Sequence, residues 1–116
     1  MTLAWEQVVV DAKEPQGLGR WWATALGWAI IHDSFEEFEI RAEPEVGPGL
    51  LFVAVDEIKG TKNRLHIDLR PDDQQTEVAR LISLGAQRVS VGQGDVSWVV
   101  LADPEGNEFC VLRGRI

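Results

Sequence analysis

The sequence predicts an α+β fold in which a module of one strand, one helix and three further strands (βαβββ) occurs twice. Two intervals of nearly equal length support the duplication: Gln7 to Gly27 spans 20 residues and His66 to Gly85 spans 19, and each holds a strand, an acidic turn and a helix. Further along, Asp103-Pro104-Glu105-Gly106 has the residues of a tight turn between two apolar runs, which is typical of a β-hairpin. We expect the modules to form a cup-shaped mixed sheet with the helices on its outer face.

The first module is predicted between about residues 4 and 58. It opens with a Val-rich strand over residues 6–12, and Pro15 then suits the first turn of a helix. Apolar residues at i, i+3, i+4, i+7 and i+8 give that helix one buried face, and Gly27 is expected to end it. That face consists of Leu18, Trp21, Trp22, Ala25 and Leu26, and only one of the two tryptophans is expected to face the core squarely. The remaining strands are predicted over residues 28–34, 35–42 and 50–57.

The second module is predicted between about residues 62 and 115 and follows the same plan. A strand over residues 64–70 leads to Asp72 and Asp73, which offer the side-chain oxygens that cap a helix. Val78, Leu81 and Ile82 are expected to form the apolar stripe of that helix, and Gly85 to end it. The last strands are predicted over residues 87–91, 97–102 and 107–113.

The composition excludes several classes of protein. The 116 residues carry a net charge of −8, and such a surface repels phosphate backbones, so we expect no nucleic-acid partner. No apolar run approaches the roughly 18 residues that a membrane span needs, and the first residues lack the pattern of a signal peptide. The single cysteine, Cys110, rules out an internal disulfide and is typical of a reducing compartment. We therefore predict one cytoplasmic domain over residues 1–116.

Strand alternation predicts which side chains face the helices and which face the concave side of the sheet. Those expected to face the helices are Val8, Val10, Leu65, Ile67, Leu69, Phe109 and Val111. Those expected on the concave side are Gln7, Val9, Asp11, His66, Asp68, Arg70, Trp98, Glu108, Cys110 and Leu112. Within this concave set, an ion pair between Asp68 and Arg70 is the simplest role for those two residues, and Trp98 is expected to form a wall of a pocket.

Three stretches resemble one known superfamily, in the right order along the chain. They are Trp21-Trp-Ala-Thr-Ala-Leu-Gly-Trp28, Lys62-Asn-Arg-Leu-His-Ile-Asp-Leu69 and Asp103-Pro-Glu-Gly-Asn-Glu-Phe-Cys110. The chain is thereby identified as similar to the vicinal oxygen chelate superfamily, which comprises glyoxalases, bleomycin resistance proteins and extradiol dioxygenases, and more narrowly to its small glyoxalase-like domains. The resemblance covers essentially the whole chain, and it implies a homodimer.

The resemblance also implies positions for metal ligands: His or Gln on the first strand, His at the start of the second half and Glu late in the last strand. Those positions are Gln7, His66 and Cys110, with Glu108 as a substitute two residues before the cysteine. Cysteine in place of the glutamate changes the chemistry, because a thiolate is a soft ligand that favours zinc. We therefore expect a degraded metal site and no cofactor, with a bound divalent metal as the alternative. Without a bound metal, His66 is expected to be a hydrogen-bonded pocket residue and Cys110 a small buried apolar residue.

Three functions are compatible with these residues. The first is a small-molecule-binding protein of the bleomycin-resistance kind, with a ligand site formed by His66, Asp68, Trp98, Gln7 and Glu108. The second is a metal-dependent lyase or isomerase of the glyoxalase type, or a dioxygenase, that uses His66 with Gln7 and either Glu108 or Cys110. The third is a structural or regulatory module without chemistry. Nucleophilic catalysis by Cys110 and His66 lacks a third group to orient the pair.

Overall fold

The computed structural model describes residues 2–114 and confirms the α+β fold with two βαβββ modules. The described chain forms two compact units that divide between Ile58 and Lys59. Each unit has one helix and one four-stranded mixed sheet, and the strand order of each sheet is first, fourth, third, second. In both units, therefore, the first and last strands of the module are neighbours. The cup shape and the single-domain organisation stay predictions.

The first unit consists of β1 (Gln7–Ala12), α1 (Pro15–Leu26), β2 (Ala29–Asp33), β3 (Glu37–Arg41) and β4 (Gly49–Ala54). β1 pairs with β4 in parallel, and β3 pairs antiparallel with both β4 and β2. The join between β2 and β3 is a turn in which the Ser34 amide and hydroxyl both donate to the carbonyl of Glu37. The observed strands are shorter than predicted at this turn because their ends are used to form it.

Helix α1 begins and ends where the sequence predicts. Pro15 is its first residue, and Gly27 ends it in the left-handed conformation with φ of 68°. Leu18 and Trp22 are buried with Phe38 and Phe52 of the sheet, whereas Trp21 is only half-buried and meets the Trp22 ring edge-on. The prediction that only one of the two tryptophans faces the core is therefore confirmed.

Strand β1 buries less than alternation predicts. Val8 and Val10 lie in register with Leu50 and Phe52, so they share the face that carries the core. Val8 nevertheless stays exposed and Val10 is only half-buried, because β1 is at one edge of its four-stranded sheet and only Ala12 is fully buried.

The second unit consists of β5 (Asp68–Leu69), α2 (Gln74–Ser83), β6 (Gln87–Arg88), β7 (Val99–Ala102) and β8 (Glu108–Val111). β5 pairs with β8 in parallel, and β7 pairs antiparallel with β8 and β6. The side chain of Asp73 accepts a hydrogen bond from the Thr76 amide at 3.2 Å, which confirms the predicted helix cap. Over residues 2–114, neither helix has the length and apolar character that crossing a membrane requires.

Two predictions about the second unit are wrong. The predicted strand over residues 64–70 forms only at Asp68–Leu69, and Leu65 lies outside it with 88% of its surface exposed. The strand is short because its ladder consists of two residue pairs with β8. Ile82, predicted in the stripe of α2, is also exposed, since Val78 and Leu81 alone occupy the buried face of this short helix.

The hairpin between β7 and β8 is built around the carboxylate of Asp103. This buried side chain accepts hydrogen bonds from the Glu105 and Asn107 amides at 2.9 and 3.0 Å and from the Asn107 side chain. The Gly106 amide donates to the Asp103 carbonyl, and Gly106 itself has a φ of 86°, which favours glycine. The turn predicted from Asp103 to Gly106 is thus held by its first residue.

Gly19 and Gly17 of α1 provide a matched test of helix packing. A Cβ at Gly19 would lie 2.8 Å from Cγ of the buried Phe38 ring, whereas one at Gly17 would meet nothing closer than Glu14 Cβ at 3.9 Å. We expect Gly19→Ala to lower the free energy of unfolding by about 1–3 kcal/mol through overpacking. Gly17→Ala should raise it by about 0.5–1 kcal/mol, because glycine inside a helix costs conformational entropy. Urea denaturation of both variants measures the difference, and equal effects would contradict the packing argument.

The Asp103 carboxylate should be necessary for the β7–β8 hairpin. Replacing it in Asp103→Ala leaves the backbone donors of Glu105 and Asn107 without their partner, at a cost of about 1–3 kcal/mol each where the donor is buried. We expect a corresponding loss in the free energy of unfolding, measured by denaturation. Pro104→Ala, at the exposed second position of the same turn, is the control and should change stability by less than about 1 kcal/mol.

Candidate functional site

The site is assembled by the parallel pairing of β5 with β8. Asp68 lies directly opposite Cys110 in the register, and the Cys110 amide donates to the Ile67 carbonyl at 2.9 Å. His66 precedes Asp68 by two residues, and its imidazole returns to the same side as the Asp68 carboxylate. Three side chains with metal-binding or acid–base chemistry therefore meet on one face of this sheet.

The three groups contact one another directly. Nδ1 of His66 lies 3.1 Å from Oδ1 of Asp68 and 3.9 Å from Sγ of Cys110. One ligand atom from each residue can be chosen so that all three lie within 4.8 Å of one another. The arrangement is a triangle, in which the same imidazole nitrogen faces both the carboxylate and the sulfur.

This triangle forms part of a cleft of about 280 Å³. Its lining consists of His66, Asp68, Trp98, Cys110 and Leu112. Cys110 is buried, whereas the side chains of His66 and Asp68 are 43% and 49% exposed and Trp98 is 39% exposed. The cleft thus offers an aromatic ring and an apolar Leu112 next to three polar groups that an incoming molecule can reach.

Cys110 does not have the properties of a catalytic nucleophile. Burial and the neighbouring Asp68 carboxylate raise the pKa of its thiol, so the neutral form predominates at neutral pH. In a cysteine–histidine–aspartate relay the two partners occupy opposite nitrogens of the imidazole. Here the carboxylate of Asp68 and the sulfur of Cys110 both lie at Nδ1 of His66. Asp68 is thus a third group beside the cysteine and the histidine, but the three residues do not form a relay.

Glu108 occupies a different environment from the cluster. Its Oε2 lies 2.7 Å from Nζ of Lys59, and its Oε1 accepts the Asn63 amide at 2.7 Å. Burial alone raises the pKa of Glu108, but the bonds from Lys59 and Asn63 outweigh it and hold the pKa below its ordinary value. Both carboxylate oxygens thus bind residues of the segment that precedes His66, and these bonds hold that segment against β8.

The structure brings together four of the six residues predicted for the site: His66, Asp68, Trp98 and Cys110. Glu108 bonds to Lys59 instead, and Gln7 lies half-exposed on β1 of the first unit, where its role stays a prediction. Asp68 does not pair with Arg70, whose guanidinium donates to the Arg113 carbonyl. Sequence reasoning did not include Asp68 among the metal ligands, although its two-residue spacing from His66 was a usable signal.

A second hollow, of about 400 Å³, lies at the start of α2. It is lined by Arg70, Pro71, Asp72, Asp73, Thr76 and Glu77. This lining contains no aromatic ring, and several of its polar groups have structural partners: Asp73 caps the helix, and Glu77 pairs with Arg80. Although it is the larger of the two, we place the candidate site in the cleft beside Trp98, where unlike chemical groups converge.

The family of the chain follows from a comparison with family models. The model described as a glyoxalase-like domain matches residues 7–112. The chain therefore belongs to the glyoxalase-like domain family, within the vicinal oxygen chelate superfamily. No curated protein matches the sequence at a significant level.

Solved structures share the fold at low sequence identity. A glyoxalase/bleomycin resistance protein/dioxygenase family enzyme from Burkholderia phytofirmans has a TM-score of 0.71 at 17% identity, over 94% of this chain and 97% of that one. The oxidase ChaP-H2 has a TM-score of 0.68 at 14% identity, over 97% and 94%. TnmS3, an antibiotic binding protein from Streptomyces sp. CB03234, has a TM-score of 0.66 at 16% identity, over 98% of each chain. These likenesses concern the fold alone.

The contacts of Glu108 should make stability depend on pH in the acid range. Because its folded-state pKa is lowered, the contribution is fully present above the unfolded pKa of about 4.3 and is lost as the pH falls through the folded-state value. We expect Glu108→Gln to lower the free energy of unfolding by about 1–3 kcal/mol near neutral pH. The difference from the unmodified protein should shrink towards pH 3.

Denaturant titrations at several pH values measure this effect. Glu36→Gln, at an exposed glutamate in the β2–β3 turn, is the matched control and should leave the pH dependence unchanged. A difference between Glu108→Gln and the unmodified protein that stays constant with pH would contradict the assigned role of the carboxylate.

Proposed function

We propose that this protein binds a small aromatic molecule with a positive charge in the cleft beside Trp98. The observation that carries the proposal is the lining of that cleft, where an exposed indole ring and the Asp68 carboxylate border the same space. A cation over an aromatic face gains roughly 0.5–2 kcal/mol, and a carboxylate adds attraction for the same charge. The ring and the carboxylate therefore select the same class of ligand.

The size of the cleft limits that class. Pockets for drug-sized ligands measure about 300–1,000 Å³, and this cleft of about 280 Å³ falls just below that range. We infer that it accepts a compact ligand, or one planar group of a larger one. Leu112 offers an apolar contact, and the His66–Asp68 pair offers polar atoms that fix orientation.

Charge and relatives support the same class of function. The net charge of −8 favours the approach of cations in a manner that salt weakens. TnmS3, which shares the fold, is an antibiotic binding protein. We also propose that the chain is a cytoplasmic homodimer, as its single cysteine and its resemblance to family members imply.

The cluster of His66, Asp68 and Cys110 favours a second candidate function, a metal-dependent lyase or isomerase of the glyoxalase type or a dioxygenase. Imidazole nitrogen, carboxylate oxygen and sulfur together form a donor set that suits a divalent ion. His66, Asp68 and Cys110 would hold the ion, which supplies Lewis-acid chemistry when bound. ChaP-H2, which shares the fold, is an oxidase. The resemblance implies Gln7 and Glu108 as ligand candidates, but both carboxylate oxygens of Glu108 are engaged by Lys59 and Asn63.

Trp98 should be necessary for ligand binding. We expect a panel of planar aromatic cations to contain compounds that quench tryptophan fluorescence, and isothermal titration calorimetry to give their affinities. Trp98→Leu should weaken binding by about tenfold or more, the equivalent of the roughly 1.4 kcal/mol that a stacked cation contributes. Asp68→Asn should weaken the charged compounds more than neutral analogues of the same shape.

Trp5→Leu is the matched control, because Trp5 is also an exposed tryptophan but belongs to the first unit. It should leave the affinities unchanged. The proposal is contradicted if no member of the panel binds, or if the Trp98→Leu and Trp5→Leu variants bind equally well.

A further inference from the structure

We propose that Gln74 is a positioning residue that sets the width of the cleft between Trp98 and Leu112 and thereby makes the cleft selective for compact ligands. The side-chain amide of Gln74 donates to the Ser97 carbonyl at 2.9 Å and to the Val111 carbonyl at 3.1 Å. Ser97 directly precedes Trp98, and Val111 directly precedes Leu112. One side chain is thus bonded to the backbone beside each of these two cleft walls. The selectivity rests on the ligand site proposed above, whereas the positioning does not.

The bonds from Gln74 lie where the ladder between β7 and β8 stops. Val99 and Val111 are the last register partners of the two strands at this end. Trp98 and Leu112 are the next residues along the chain on each side, and both border the cleft. The amide of Gln74 therefore ties the strands together beside the cleft, at the point where their own register pairs have ended.

The two walls are held by different backbone contacts. The Leu112 amide donates to the Leu69 carbonyl at 2.8 Å, so this wall is fastened to the neighbouring strand β5. Trp98 instead ends the loop that joins β6 to β7. The bond from Gln74 to the Ser97 carbonyl fastens the end of that loop to β8 and α2. We therefore expect the loss of this bond to displace Trp98 more than Leu112.

Gln74 is itself fixed at the start of α2 and acts on a ligand only through Trp98. The Asp73 side chain caps the helix by accepting the Thr76 amide, and Gln74 is the first helical residue. A glutamine amide has two N–H donors, which matches the two carbonyls that it contacts. Gln74 is half-buried and does not belong to the residues that line the cleft. A wall fixed before binding lowers the cost of ordering the site around a ligand of matching size.

The position of Trp98 can be measured without any ligand. In the full chain labelled with 5-fluorotryptophan, fluorine NMR gives one signal for each of the five tryptophans, and Trp98→Leu identifies the signal of Trp98. Gln74→Leu and Gln74→Glu keep a side chain of similar size but present no N–H donor at neutral pH, so both should shift or broaden this signal. Gln74→Lys, which regains N–H donors, should return it towards its original position. Gln75→Leu, at the exposed neighbouring residue, is the matched control and should leave it unchanged.

The selectivity is measured by isothermal titration calorimetry with two planar cations, N-methylquinolinium and the larger N-methylacridinium. The unmodified protein should bind N-methylquinolinium more tightly. Gln74→Leu should lower the ratio of the two affinities by about fivefold, which lies in the range that the loss of one or two hydrogen bonds produces. Gln75→Leu should keep the ratio, and circular dichroism should confirm that all variants are folded.

The two measurements separate this proposal from the ligand site on which its selectivity rests. If neither cation binds the unmodified protein, the ligand site and the selectivity both fail, while the signal of Trp98 still decides the positioning. If the cations bind but the folded Gln74→Leu variant keeps the Trp98 signal and the affinity ratio unchanged, the ligand site stands and the role of Gln74 is overturned. A shift of all five tryptophan signals alike would also overturn it, because Gln74 would then support the fold in general.

Discussion

The pairing of the first strand of each module with its last strand is the constraint on which the candidate site depends. β1 lies parallel to β4, and β5 lies parallel to β8, so a helix must carry the chain back across the sheet between them. This pairing closes each βαβββ unit and brings distant residues into register, such as Asp68 opposite Cys110. Without the β5–β8 ladder, the imidazole, the carboxylate and the sulfur would belong to unconnected parts of the chain.

The two units use the same pairing for different chemistry. In the first unit the residues opposite Val9 and Asp11 are Leu51 and Val53, which carry no ligand atoms. In the second unit the corresponding strands carry Asp68 and Cys110, and His66 lies two residues before Asp68. Duplication of one structural plan therefore gives two sheets of similar topology, of which the second concentrates polar donors. Because the backbone register is of the same kind in both units, the polar donors of the second unit result from the identity of its side chains.

Features that depend on local sequence could be predicted, and features that depend on contacts between distant residues could not. Pro15, Gly27, Asp73 and the Asp103–Gly106 turn act within a few residues, and the structure has them where the sequence places them. The burial of α1 follows from its helical spacing in the same way.

The failures have the opposite character. Leu65 appeared to continue an alternating strand, but the length of β5 is decided by how many pairs it makes with β8, which no local pattern shows. The partner of Glu108 is Lys59, 49 residues away in the chain. Strand alternation can therefore predict a face for this glutamate, but it cannot predict its salt bridge. Asp68 was expected to pair with Arg70 on its own strand, whereas the neighbouring strand and His66 provide its contacts.

Position 110 shows how few side chains define the cleft. Glu108, the acidic residue nearest to it on β8, is bound by Lys59 and Asn63. The sulfur of Cys110 is therefore the group that β8 presents to the cleft. A cysteine at this position, where the resemblance implies a glutamate, therefore gives the cleft a different chemical group on the same fold, as expected where function depends on a few side chains attached to a stable scaffold.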